Sequence, residues 1–185
     1  LGDVVFPEGI AEAADLSAAA ISKSGRFLVL GSDETTHVEV LKRADGRYQL
    51  AGSILLEDAD EDELDIEGIT RHGGSNEFFV LGSHSYRRRR IDRSEDRESS
   101  HEEIRSRFLE ESPDRERKRE VLFRFRLNEE TGEAVAESVK ELRDPSGYRL
   151  RDFVRDNRVL KPFSEIPSKE NGVDLEGLAS DGRRL

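Results

Sequence analysis

Between Val121 and Leu127 every second residue is apolar, and Leu122, Arg124 and Arg126 fill the gaps. This is the period-2 pattern of a strand with one buried face. RFLVLGS and EFFVLGS are dense in β-formers, whereas charge collects in the segments between such runs. THVEVLKRADG and RYQLAGSILLE read as two further strands joined at a DG turn of hairpin type. EVLFRFRLNEETG and EAVAESVKEL predict a second pair. Helical spacing is confined to two places. Ser100 and Glu103 have capping-box spacing, with Ile104 and Phe108 one turn apart. Leu150, Phe153, Val154 and Leu160 share a helical face after the turn-forming DPSG.

The strand patterns repeat. Asp15 opens DLSAAAISKSGRFLVLGSDE, Asp65 opens DIEGITRHGGSNEFFVLGSHS, and Asp174 opens DLEGLASDGRRL. In each, an acidic residue leads into a strand, a Gly-containing turn and a second strand. The first two copies end alike, in FLVLGSD and FFVLGSH, and two more strand candidates follow each. The step from Asp15 to Asp65 is 50 residues, close to the ~40–50 of propeller blades. The expected fold is therefore all-β: four-stranded antiparallel blades of a partial β-propeller, with short helical insertions. Residues 1–64 form one blade, and 65–171 a second with insertions near 91–118 and 145–161. Residues 172–185 begin a third. A propeller needs at least about four blades to close, so the expectation is a part of a longer chain, with open sheet edges available for self-association.

Composition modifies this picture in few respects. Apolar residues make up 34% and charged residues 38% of the 185-residue chain, a balance that would favour disorder if spread evenly. The net charge of −11 argues against nonspecific binding to nucleic acid. No apolar run approaches the ~20 residues that span a bilayer, and no signal-peptide pattern is visible. Soluble and, more weakly, cytoplasmic are the expectations. With no cysteine there are no disulfides, thiolate metal sites or cysteine nucleophiles.

The succession FPEGIAEAADLSAAA, a strand ending LGSDE, DIEG, LGSHS, a basic stretch and NGVDLEGLA resembles a bacterial and archaeal propeller-like family, domain of unknown function 3616. The match runs in order from Phe6 to Leu185. Members of that family are longer than this chain. The resemblance implies a fold and no established activity. More distantly, the acidic-Glu-Gly-apolar opening is similar to that of phytase-like esterase propellers and of the calcium-dependent phosphotriesterase and lactonase group. In the latter a Glu on an innermost strand coordinates a metal. Glu8, Glu67 and Glu176 are each followed by Gly here, but the full lactonase ligand set is missing.

In a strand, Asp65 and Glu67 point to one side, as do Asp174 and Glu176. On the innermost strands of neighbouring blades, these four carboxylates would converge at one mouth of a channel. They would then bind a cation, share protons or stay solvated, because like charges raise each other's pKa. Oxygen ligands suit calcium or magnesium. The structural alternative has each Asp capping a turn and each Glu accepting backbone N–H bonds. His84, between Ser83 and Ser85, is the candidate base and a polar partner for Asp65 or Glu67. Adjacent strand residues point to opposite faces, so a Ser–His nucleophilic pair is not expected.

In EDADEDELD, Asp58, Asp60 and Asp62 alternate like the start of a calcium loop. The sixth position is Glu63 and the twelfth Ile69, so this is no EF-hand. The basic run Arg87, Arg88, Arg89 and Arg90 is followed by Asp92, Glu95 and Asp96. It reads as a solvated, internally paired insertion, or as contact for an acidic ligand or partner. P-loop, GxSxG, HExxH and dinucleotide fingerprints are absent. Two functions remain: a binding or scaffold domain for a protein or small molecule, or a calcium-dependent hydrolase of ester, lactone or phosphoester bonds.

Overall fold

The computed structural model describes residues 9–10, 14–57, 63–87, 99–109 and 117–185. Among them run β1 Leu16–Ile21, β2 Phe27–Ser32, β3 His37–Ala44, β4 Arg47–Leu55, β5 Ile66–Arg71, β6 Glu77–Gly82, β7 Leu122–Arg126 and β8 Lys140–Glu141. They form two four-stranded antiparallel sheets in simple sequence order, β1-β2-β3-β4 and β5-β6-β7-β8. The all-β expectation holds. The DG turn closes as predicted: Asp45 (φ 49°) and Gly46 (φ 77°) link the paired residues Ala44 and Arg47. Positive φ at both central positions is the signature of a type I′ hairpin.

The core lies between the sheets. Phe27, Val29, Val38 and Val40 from the first meet Ile66, Phe78, Val80, Phe123 and Phe125 from the second. Phe78 stacks on its cross-strand partner Phe125, with centroids 5.3 Å apart and planes 7° from parallel. Val121, Phe123, Phe125 and Leu127 are all buried, as their alternation predicts. The first strands of the two sheets adjoin: Ser17 Oγ donates to the Ile66 carbonyl, and Arg71 Nε to the Ile21 carbonyl at 3.1 Å.

The shared endings FLVLGSD and FFVLGSH are not structural equivalents. Counted straight from Asp15 and Asp65, the two hairpins superimpose without a gap. Ser22 N donates to Phe27 O and His72 N to Glu77 O, while Leu16 pairs with Ser32 and Ile66 with Gly82. Phe27 thus occupies the place of Glu77, one residue out of step with the LGS motif. One residue of slip turns a side chain to the other face. That is why Phe27 and Phe78 meet from opposite sheets within one core.

The fourth strand of the second sheet is shorter than EAVAESVKEL suggests. Ala134 makes one bridge to Leu127, Glu137 takes a left-handed φ of 57°, and only Lys140–Glu141 pair with β7. The helices are α1 His101–Phe108 and α2 Leu150–Asp156. Ser100 and Glu103 form the capping box at the start of α1, with Ser100 N donating to Glu103 Oε2 at 2.7 Å and Glu103 N to Ser100 Oγ at 3.2 Å. Of the apolar residues predicted to share a face near α2, Val154 is buried and Leu150 and Leu160 half-buried, whereas Phe153 is 48% exposed.

Residues 172–185 carry no strand but lie against β5. Leu175 N donates to Ser83 O at 2.7 Å, and His72 Nδ1 meets Ser180 Oγ at 3.0 Å. A Cβ on Gly68 would fall 2.9 Å from both the Cβ and the backbone N of Leu178. The glycine of DIEG is what lets this segment approach. Among the described residues no helix is long and apolar enough to cross a membrane.

Candidate functional site

The acidic openings lie at the starts of β1 and β5 and in the segment beside β5. Both strands begin with an irregularity at the same place, between Leu16 and Ala18 and between Ile66 and Gly68. A bulge of this kind inserts an unpaired residue and re-aims its side chain. Asp65 itself is left-handed, with φ 52°. The strict alternation that would place Asp65 and Glu67 together therefore does not run through this stretch, and the two carboxylates have different surroundings.

Asp65 is engaged through one carboxylate oxygen. Its Oδ2 accepts hydrogen bonds from Ser83 Oγ, from Ser85 Oγ at 3.3 Å and from Arg119 Nη1 at 2.8 Å. The Asp65 carbonyl accepts from Ser83 N at 3.0 Å. Arg119 comes from a 3-10 turn, Arg117–Arg119, that precedes β7. It is buried and also pairs through Nη2 with Glu63, to which Arg87 Nη1 adds a contact at 3.1 Å. The backbone is drawn in as well: His84 N donates to Arg119 O at 3.1 Å. Gly82 permits that approach, since a Cβ there would strike the carbonyls of Arg119 and Leu64.

Glu67 is the perturbed carboxyl. Burial, then the charges of Asp65, Asp174, Asp33 and Glu176, push its pKa up to about 7. Asp174 is raised by burial and by Glu176 and Asp65, against the hydrogen bond from Ser168. Asp33 is raised by burial and by Glu34, Asp15 and Asp65, and its Oδ1 is buried without a hydrogen-bond partner among the described residues. Burial first, and like charge after it, favours the protonated forms. The predicted carboxylates thus share one electrostatic neighbourhood. Yet no group of three or more His, Asp or Glu among the described residues is arranged to hold a metal ion. The donors are oxygen ligands of the type calcium takes, but their placement does not fit a coordination shell.

Residues 15–185 match the family described as "Protein of unknown function (DUF3616)". The chain belongs to this family. The resemblance read from DIEG, LGSHS and NGVDLEGLA stands. Comparison with curated proteins finds no match. Comparison with solved structures finds none either.

In this DUF3616 chain His84 makes no side-chain hydrogen bond to Asp65 or Glu67 among the described residues. Left-handed at φ 55° and 3% exposed, it donates from Nδ1 to its neighbour Gly82 O at 2.8 Å. Its Nε2 is buried without a partner among the described residues. Burial depresses its pKa, and the charges acting on it are Glu120, Arg151 and Glu141 rather than Asp65 or Glu67. Ser83 and Ser85, either side of it, bond one another at 2.8 Å. Arg87 pairs with Glu63. Glu8, Asp58, Asp60, Asp62 and Arg88 to Arg90 lie outside the described residues.

Two participants escaped the sequence reading. Arg119 was hidden inside the charged run DRERKRE, where nothing local in the sequence marks one arginine as buried. Asp33, in the LGSDE ending, carried a signal in its place beside the first repeat.

Proposed function

We propose that the chain is a section of a β-propeller that works as a binding scaffold. The two sheets are consecutive blades with β1 and β5 innermost, and residues 172–185 open a third unit beside β5. One observation carries the scaffold reading: the Asp65 carboxylate is taken up by Ser83, Ser85 and Arg119. The acidic residue at the start of the second unit thereby fastens β5 to β6 and to the turn before β7. Contacts such as Ser17 to Ile66 and Leu175 to Ser83 support the same role for the start of each repeat.

The second reading, a calcium-dependent hydrolase, is favoured by the grouping of Glu67 with Asp174 and Glu176. Calorimetric titration with calcium separates the two readings. The scaffold predicts no saturable heat in the wild type, with Glu67→Gln and Glu176→Gln both folded. Micromolar binding that disappears in either variant would establish the metal site and overturn the scaffold.

A further inference from the structure

A cleft of about 290 Å³ opens between the end of β4, the turn before β7, the end of β8 and the start of α2. Three separate stretches bring cations to it. Arg117 and Lys118 come from the turn, Arg143 follows β8, and Arg149 and Arg151 begin α2. The two carboxylates of its lining are Glu57 and Glu141. The lining therefore carries an excess of positive charge on a chain of net −11.

The groups divide by role. Glu141 is held by Arg143 at 2.7 Å and Arg149 at 3.2 Å, so those three set the wall. Arg117 is exposed and Arg151 half-buried, and among the described residues neither makes an ion pair. Guanidinium forks match phosphate oxygens bidentately and keep their charge at every working pH. Beneath them Val121 and Phe123, both 6% exposed, supply an apolar floor. Glu57 Oε2 is buried with no hydrogen-bond partner among the described residues, an acceptor suited to a hydroxyl.

We propose that this cleft binds a small sugar phosphate, with the phosphate on Arg117 and Arg151, a hydroxyl donating to Glu57, and the C–H face of the ring on Val121 and Phe123. Its volume sits at the low end of small-molecule sites, about 300–1,000 Å³, which suits one ring and one phosphate and is too small for a dinucleotide. The proposal is independent of the carboxylates at the strand starts and goes beyond the scaffold reading.

Isothermal titration of the 185-residue chain at low ionic strength tests it, with glucose 6-phosphate, glucose and inorganic phosphate as probes. Glucose 6-phosphate binds saturably, and Arg117→Ala and Arg151→Ala each weaken it about tenfold or more, the effect of losing one charge-assisted contact. Arg47→Ala, an exposed position on β4 of the other sheet, leaves binding unchanged. Inorganic phosphate binds more weakly, Glu57→Ala narrows that gap, and glucose alone does not bind. Absence of saturable heat with glucose 6-phosphate overturns the proposal. So does an equal loss in Arg47→Ala, which would mark diffuse charge, or inorganic phosphate binding as tightly as the sugar phosphate.

Discussion

Arg119 Nη1 donates to Asp65 Oδ2 at 2.8 Å across 54 residues of sequence, and the same guanidinium holds Glu63. A buried cation is costly unless its partners are in place, and removing one member of such a set leaves the others uncompensated. The pair ties the start of β5 to the turn that leads into β7. It is a structural use of the first carboxylate in the DIEG motif.

Arg119→Met is expected to destabilise the chain by about 3 kcal/mol, measured by urea unfolding. Adding Asp65→Asn to that variant should recover part of the loss, because the orphaned charge is then gone. Equal stability of Arg119→Met and wild type would show that the pair contributes nothing.

Glu67 gives a pH signature of defined sign. Its pKa rises from 4.5 when unfolded to about 7 when folded, so the folded state holds the proton more tightly. Stability contributed by this proton is complete below pH ~4.5 and is lost as pH rises through about 7. Glu67→Gln should match wild type near pH 4 and exceed it above pH 7, by about 1 kcal/mol after allowing for solvent screening. Thermal unfolding across pH 4 to 9 reads the difference; a variant less stable at pH 8 would contradict it.

Gly68→Ala tests the approach of residues 172–185 to β5. The added methyl would lie 2.9 Å from Leu178 backbone N, which cannot retreat without moving the segment. Overpacking of this kind costs about 1–3 kcal/mol. Hydrogen exchange at the Leu175 amide, which donates to Ser83 O at 2.7 Å, should accelerate. Unchanged protection there would mean that the segment is held independently of this contact.

Phe78 is fully buried and stacked on Phe125. Phe78→Ala should cost about 3–5 kcal/mol in denaturant unfolding, the usual effect of deleting a core aromatic ring. A loss below about 1 kcal/mol would place Phe78 outside the core between the sheets.

Much of the fold was legible because its signals are local. The alternation from Val121 to Leu127 needs only neighbouring residues to declare a buried face, and Asp45-Gly46 needs only its own φ angles to close a hairpin. The capping box at Ser100 and Glu103 spans four residues. Shorter or mixed signals read less well. In EAVAESVKEL, polar residues dilute the pattern, and only two residues pair as a strand. The shared LGS endings aligned letters rather than hydrogen bonds, and missed a one-residue offset that sends Phe27 and Phe78 to facing sides.

Sequence by itself determined the strand periods, the hairpin turn, the short helices and the recurrence of an acidic opening, since each depends on residues within a few positions of one another. Tertiary structure alone decided what those openings do. Asp65 and Glu67 are two residues apart, yet a bulge and a left-handed aspartate send one to Arg119 and leave the other among like charges. Burial and Coulomb interaction depend on distance in space, and the partners that set them, Arg119, Asp174 and Asp33, reach the motif only when the sheets pack.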